Sequence, residues 1–465
     1  VSGPRTRTIA ALVSWRWTAI VLAGALGLLA SLVRVGGDWD WLVAVGDHVR
    51  RTGEVPGAVP FAAADTAGWH DVPVLAQLVA SWWHGLGATT AVLAHLVLVT
   101  VALVVAAGAA RARGASDAAV AWALVALVAG SLTSLGLVRA QTLSFVPFAL
   151  VLAILARQHA SPDRRIWWVV PVVAVWGNLH GAALLGTCVV GAYLLVDRLR
   201  LRPLETVGVG VSTLLALCVT PQGWHTPTYY LEVFDNVSAQ RGEGLWARPS
   251  LTSPVDLVML LAALALLVAV LRTRRPAWEY VAVAGLCLAT ADAARHGVWL
   301  LLLLTVLVAP DRSRTEDALP GVGSRAVLAG ALAAVVALVV ALPVAVVRGD
   351  AVLGADPDDV AALAAVAGDR VVLAPAPLSE ALAVAGVRLW VSNPIDAFAR
   401  DDQAAYLDFL EGRDGGRRAI RSSDLVVTRG GTSPDDLAAS TDGLTPVDCP
   451  SGWSCWVVDD PAPEA

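Results

Sequence analysis

A polytopic α-helical membrane protein, with about 11 transmembrane helices and a small C-terminal extracytoplasmic α/β domain, is the fold class this sequence predicts. Three observations lead there. The 465 residues are 57% hydrophobic and only 15% charged, with a mean hydropathy of +0.66, whereas soluble domains carry roughly 25% charged residues. Apolar runs recur from Trp17 to Val347, many long enough for the roughly 20 helical residues that cross a bilayer. After Val347 the composition changes, and "DDVAALAAVAGDRVVLAPAPLSEALAVAGVRLWVSNPIDAF" alternates helix-like and strand-like pieces.

Taken in order, the spans are expected near Trp15–Val35, Ala88–Ala110, Ala118–Leu135, Thr142–Ala156, Ile166–Trp176, Ala182–Val196, Val207–Val219, Val255–Leu271, Glu279–Ala291, Val298–Ala309 and Ala326–Val347. The leading stretch "VSGPRTRTIAALVSWRW" is basic and has no small-residue cleavage site, so it reads as the approach to an uncleaved first span. Every Lys-or-Arg position in the chain is an arginine. They cluster at Arg5 and Arg7; Arg111 and Arg113; Arg157, Arg164 and Arg165; Arg198, Arg200 and Arg202; Arg272, Arg274 and Arg275; and Arg312, Arg314 and Arg325. Every second connection is therefore basic, the positive-inside pattern. It puts the N-terminus in the cytoplasm and the segment after Val347 outside. The expected division is a membrane module over 1–347, with an outer loop at 36–73, and an extracytoplasmic domain over 348–465.

In that last domain "DLVVTRGG" and "CWVVDD" read as further strands. No metal-ligand spacing or glycine-rich phosphate loop stands out in it, and "TRGGTS" is too weak a signal. Cys188, Cys218 and Cys287 fall within expected spans and behave as small apolar residues. Cys449 and Cys455, in "CPSGWSC", could close a short-loop disulfide outside the cytoplasm.

The connections that are not basic carry the chemistry. Gly36–Pro73, Leu135–Gln141, Asn178–Gly181, Pro221–Pro254 and Asp292–His296 all fall on the outer side. They bring Asp38, Asp40, His48, Arg139, Gln141, Asn178, His180, His225, Glu232, Asp292, Arg295 and His296 to one face. Polar groups near membrane depth usually face a protein interior or a wet cavity. Asp38 and Asp40 could act as a general base or hold a divalent cation; the bland alternative is a pair of solvated helix-end residues. Trp39 and Trp41 suit the membrane interface. Arg139 in "LVRAQTLSF" and Arg295 in "ADAARHGVWLLLLL" offer the rigid fork that fits phosphate oxygens. Snorkelling to headgroups and an internal Asp292–Arg295 pair are the competing readings. In "WGNLHGA", Asn178 and His180 suit interhelical hydrogen bonding, worth roughly 0.6 to 2 kcal/mol. His225, Tyr229, Tyr230 and Glu232 line a cleft or simply cover the bundle.

An acidic first loop beginning "DWDW", then "VAVGDHVRRTGEVP", "VRAQTLSFVPFAL", "WGNLHGAALLG", "TPQGW" and "ARHGVWLLLL", closed by an outer α/β domain, resembles bacterial glycosyltransferases of the GT-C superfamily. The resemblance runs over nearly the whole chain. It implies a polyprenyl-phosphate sugar donor, a base at Asp38 or Asp40, and donor phosphate held by Arg139 or Arg295 with Gln141 and His296 beside them. His48, Asn178, His180, His225, Glu232 and Asp292 would line the cavity. It also implies a multi-pass protein of the bacterial plasma membrane whose acceptor is an envelope glycan, lipid or protein; nucleic acid is not an expected partner. A divalent cation is a candidate cofactor. The chain departs from the family pattern at Val59, at Val72 to Val74 and at Ala140. Two other function classes therefore stay open: a non-catalytic envelope scaffold on the same bundle, and, behind it, a transporter of lipid-linked intermediates. The transporter class predicts paired interrupted helices in two halves, and no internal repeat is evident.

Overall fold

The computed structural model describes residues 14–87, 89–309 and 324–459. The chain begins with α1 (Arg16–Leu32) and a two-residue strand, β1 (Arg34–Val35). The loop that follows opens with a further helix, α2 (Gly37–Thr52), which packs against α3 (Val74–Gly85). Next come α4 (Thr90–Ala112), α5 (Asp117–Gly130), strand β2 (Leu137–Val138), α6 (Phe145–Ala160), α7 (Val169–Gly177) and α8 (Ala183–Tyr193). They are followed by α9 (Pro203–Leu217), α10 (Thr226–Asp235), α11 (Pro254–Leu271), α12 (Ala277–Asp292), α13 (Gly297–Leu307) and α14 (Ser324–Arg348).

Helices thus occupy each of the eleven apolar runs, with one difference: the run 118–135 breaks at Ser131, and Leu132–Leu135 forms a separate turn of helix. Among the described residues four helices are long and apolar enough to cross a membrane unaided: α4, Ala140–Ala160, α11 and the one from Ala326 within α14. Shorter apolar helices flank them, and the protein is a multi-pass membrane protein. Arg5, Arg7, Arg312 and Arg314 lie outside the described residues.

Helices in lipid gain little from burying apolar area against one another and associate through close packing of small residues. The α14 sequence does this with Ala329, Ala333, Ala337, Ala341 and Ala345, all fully buried at a four-residue spacing. That stripe lies on one helix face, and α14 uses it against α1, whose Leu22, Leu26 and Leu29 are likewise buried. The same logic holds α2 to α3. A Cβ on Gly46 would come within 2.1 Å of the Gln77 carbonyl oxygen, so only glycine allows that approach.

Several arginines from the basic connections are turned inward. Arg113 Nη2 bonds Glu279 at 2.7 Å, and Arg275 approaches the same carboxylate at 3.8 Å while donating to the Ala309 carbonyl at 2.6 Å. Arg198 donates to Gln158, to the Asp163 carbonyl and to Glu205. Removing one member of a buried ionic group leaves its partners charged and uncompensated. Glu279→Ala is expected to destabilise the detergent-solubilised protein by about 3–5 kcal/mol, read as a lowered thermal unfolding midpoint.

The C-terminal part contains α15 (Pro357–Ala367), β3 (Val372–Leu373), α16 (Leu378–Val384), α17 (Arg400–Leu410), β4 (Leu425–Arg429), α18 (Ser433–Ala439), β5 (Leu444–Val447) and β6 (Trp453–Val458). Its strands form a mixed sheet in the order β3-β4-β6-β5, with β3 and β4 parallel and the other pairs antiparallel. Cys449 and Cys455 are joined beside the β5–β6 pair, with an S–S distance of 2.03 Å. This part is joined to the loops of the helical module as well as to α2. Phe61 and Ala63 of the first loop exchange backbone hydrogen bonds with Leu389, which itself bridges Val372 of β3. The loop after α10 is held to α17 by Arg241–Asp408 at 2.7 Å and by Gln403, which accepts from the Val237 amide at 3.0 Å.

Candidate functional site

The site begins with a pair of two-residue strands. β1 and β2 pair in parallel, Arg34 opposite Leu137 and Val35 opposite Val138. Arg34 N donates to the Gly136 carbonyl and Gly36 N to the Val138 carbonyl, each at 3.0 Å. This suture sets the start of α2 beside the turn that follows α5. Asp38 and Arg139, about a hundred residues apart in the chain, come within Coulombic reach of each other.

Arg139 is buried, and its guanidinium donates to the Gln141 side-chain oxygen. Its backbone is pinned as well. Arg139 N donates to Thr142 Oγ1 at 3.2 Å, Thr142 Oγ1 pairs with His95 Nδ1 at 2.9 Å, and His95 Nε2 pairs with the Leu135 carbonyl at 2.8 Å. His95, wholly buried on α4, therefore fixes both ends of the turn that presents Arg139.

The second arginine comes from the 3-10 turn Ala294–His296 between α12 and α13. The Arg295 guanidinium lies over the Trp246 ring, 3.6 Å from its centroid. Ala294 N donates to the Ala247 carbonyl at 2.9 Å, which holds Trp246 in place, and Gln141 Nε2 donates to the Arg295 carbonyl at 3.4 Å. Arg139 and Arg295 lie within Coulombic reach of each other and of Asp38, and His180 faces both arginines and His296. Among the described residues neither guanidinium forms a direct salt bridge. Two desolvated cations held side by side, with Asp38 near both and Asp396 near Arg295 but neither in direct contact, are only partly compensated. Such an arrangement is costly without a bound anion.

The third wall is acidic and comes largely from the C-terminal part. Helix α16 packs on α2 and brings the fully buried Glu380 to its first turn. Ser379 Oγ donates to Glu380 at 2.9 Å and Asn393 Nδ2 at 2.5 Å. Burial pushes the Asp40 carboxyl up to about 7, and the neighbouring Glu380 carboxylate adds to that rise. Burial also raises Glu380, against the two hydrogen bonds, with the charge of Asp38 adding to it. Asp396, on the 3-10 turn Ile395–Ala397, is raised by burial and by Glu232 and lowered by Arg295, so it too borders the arginine pair.

The polar residues picked out from the sequence divide into two groups. Asp38, Asp40, Arg139, Gln141, His180, Arg295 and His296 gather around the arginine pair and the start of α2. The others do not centre on it. Asn178 donates to the Ala174 carbonyl at 2.9 Å and the Val219 carbonyl at 2.5 Å, which ties the ends of α7 and α9 together. Its place is between helices and not beside the arginine pair. His48 lies eight to ten residues beyond the aspartates on α2, about 12–15 Å along the axis. Asp292 is exposed at the end of α12 and makes no salt bridge to Arg295. His225 stacks on His70 at 5.6 Å, and His70 approaches the exposed Glu232 at 3.5 Å, so these form a rim. Trp39 and Trp41 are both buried against protein, Trp39 stacked on Trp83 and Trp41 edge-on to Trp69. Trp39 thereby packs α2 onto α3, and Trp41 packs it against the first loop.

Glu380, Asp396, His95 and Trp246 were not singled out by sequence. Tyr229, whose hydroxyl lies 3.1 Å from where a Cβ on Gly181 would stand, was seen only as a loop residue. Among the described residues no group of three or more His, Cys, Asp or Glu side chains is arranged to hold a metal ion.

A helical bundle with an acidic helix after the first span, arginines presented by two later turns and a small mixed α/β part is a fold already seen in solved membrane proteins. Two solved structures share it. Arabinofuranosyltransferase AftD from mycobacteria matches with a TM-score of 0.53 and 19% identity over 97% of this chain, which spans only 42% of the length of AftD. ArnT from Cupriavidus metallidurans, solved bound to undecaprenyl phosphate, matches with a TM-score of 0.52 and 14% identity over 95% of this chain and 97% of its own. No known family profile and no curated protein matches the sequence.

Proposed function

We propose that this chain is a membrane glycosyltransferase that moves a sugar from a polyprenyl-phosphate donor to an acceptor at the outer face of the bacterial plasma membrane. The reading rests first on the two desolvated arginines, Arg139 and Arg295, held together beside Asp38 without a direct salt bridge. A donor phosphate is the anion that such a pair suits. ArnT, which shares the fold, was solved with undecaprenyl phosphate. The same reading takes the eleven apolar helices as spans, with the N-terminus in the cytoplasm. The membrane module is then 1–347, and the 348–465 domain stands outside over the site.

In the transfer an acceptor hydroxyl oxygen attacks the anomeric carbon, and the bond from that carbon to the phosphate oxygen breaks. Asp38 takes the hydroxyl proton. The polyprenyl phosphate leaves with the electron pair, and Arg139 and Arg295 meet its charge. Asp38 fills the base role better than Asp40 because its carboxylate reaches both arginines, and the anomeric carbon is bonded to the phosphate they hold. Gln141, bonded to the Arg139 guanidinium and the Arg295 carbonyl, orients the arginines, and His180 borders the sugar.

The test is release of polyprenyl phosphate by purified protein from a panel of polyprenyl-phosphate sugars. Turnover with at least one donor is the expected result. Neither turnover nor donor binding across the panel overturns the reading and leaves the scaffold class, which the departures at Val59 and Ala140 favour.

A further inference from the structure

We propose that Glu380, supplied by the C-terminal domain, is a positioning residue for the transfer: it seats the first turn of α2 so that Asp38 faces the arginine pair. This rests on the transferase reading and names a part of that site outside the membrane helices.

The geometry starts from an uncapped helix. α2 begins after Gly36 with no side-chain hydrogen bond to its first turn, although two aspartates and the attacking chemistry depend on where that turn sits. Glu380 approaches it from another part of the chain. A Cβ on Gly37 would lie 2.8 Å from Glu380 Oε2, 2.9 Å from its carboxyl carbon and 3.1 Å from Oε1, so the carboxyl group lies flat against this turn. A negative group at a helix N-terminus meets the positive end of the helix dipole and its free amides. Glu380 is itself immobilised: it is fully buried, bonded by Ser379 and Asn393, and carried on a helix that packs along α2. Successive positions turn by about 100°, so Asp38 and Asp40 diverge by about 200° around the axis. Seating the turn therefore decides which carboxylate faces the arginines. The carboxylates of Asp38, Asp40 and Asp396 and the guanidiniums of Arg139 and Arg295 are the charged groups around this turn, with Glu380 pressed against Gly37.

Three full-length variants test this: Glu380→Ala, Gly37→Ala and the double variant. Glu380→Ala is expected to lower kcat at least tenfold while the Kd for the polyprenyl-phosphate donor stays within twofold. Gly37→Ala displaces the carboxyl and should show a similar loss. In the double variant the second change should add less than threefold, because both act on one contact. Hydrogen exchange over residues 36–42 gives a readout independent of turnover, and Glu380→Ala should speed it at least tenfold. Unchanged exchange, or multiplicative losses in the double variant, overturns the proposal. If wild type shows neither donor binding nor turnover, the transferase reading fails, and accelerated exchange in Glu380→Ala still separates that failure from a failure of the seating contact.

Discussion

Replacing Asp38 with asparagine is expected to reduce polyprenyl-phosphate release by about 10²–10⁴-fold, the range a positioned general base contributes. The donor should still bind within a few-fold of wild type, because the arginines that hold it are untouched. Asparagine keeps the size and hydrogen-bonding shape of the side chain but cannot accept a proton. Loss of kcat with retained donor affinity therefore isolates proton transfer from folding and binding. Asp40→Asn makes the comparison informative. Its carboxyl is turned to Glu380 and is raised to about 7, so at neutral pH a large share is already protonated. Asparagine resembles that neutral form, and its effect on turnover should be much smaller than that of Asp38→Asn. Equal losses in both would mean that the two carboxylates act as one unit. A larger loss in Asp40→Asn would move the base to that residue.

The membrane helices were legible because lipid demands long apolar runs with their backbone bonded internally, and each such run is helical. The arginines at the ends of those runs were legible for the complementary reason. A cation at membrane depth is costly, so Arg139 and Arg295 stood out against "LVRAQTLSF" and "ADAARHGVWLLLLL". What joins them to Asp38 was not legible. The β1–β2 suture is two residues long on each side, "RV" and "LV", too short for any period to register. Glu380 lies in "LSEALAV", where a lone glutamate on a short helix ordinarily points to water. It is buried only because α16 is pressed onto α2, a contact between elements more than three hundred residues apart. Asn178 and His180 show the same limit from the other side. Two residues apart in one polar turn, they divide between helix packing and the arginine cluster, and composition could not separate them.

Arg295→Met should weaken donor binding by about 10- to 150-fold, since a hydrogen bond to a charged group contributes about 1.5–3 kcal/mol. The ligand-free protein should unfold at the same temperature or a higher one. These opposite signs come from one cause. At Arg295 burial is what most disfavours the charge, and the repulsion from Arg139 adds to it against the attraction of Asp38, Tyr229 and Asp396. Methionine keeps an apolar stem against Trp246, so the change removes charge and leaves most of the packing. Without a phosphate the loss of that charge relieves strain; with one, it removes a partner. Arg139→Met should weaken the donor to a similar degree; it relieves the same Arg139–Arg295 repulsion and gives up the attraction of Asp38. Titrating a polyprenyl phosphate into detergent-solubilised variants, alongside thermal melts of each, reads both quantities. If Arg295→Met lowers the midpoint of the ligand-free protein by several degrees and leaves the affinity unchanged, the arginine is a structural strut and the phosphate site lies elsewhere.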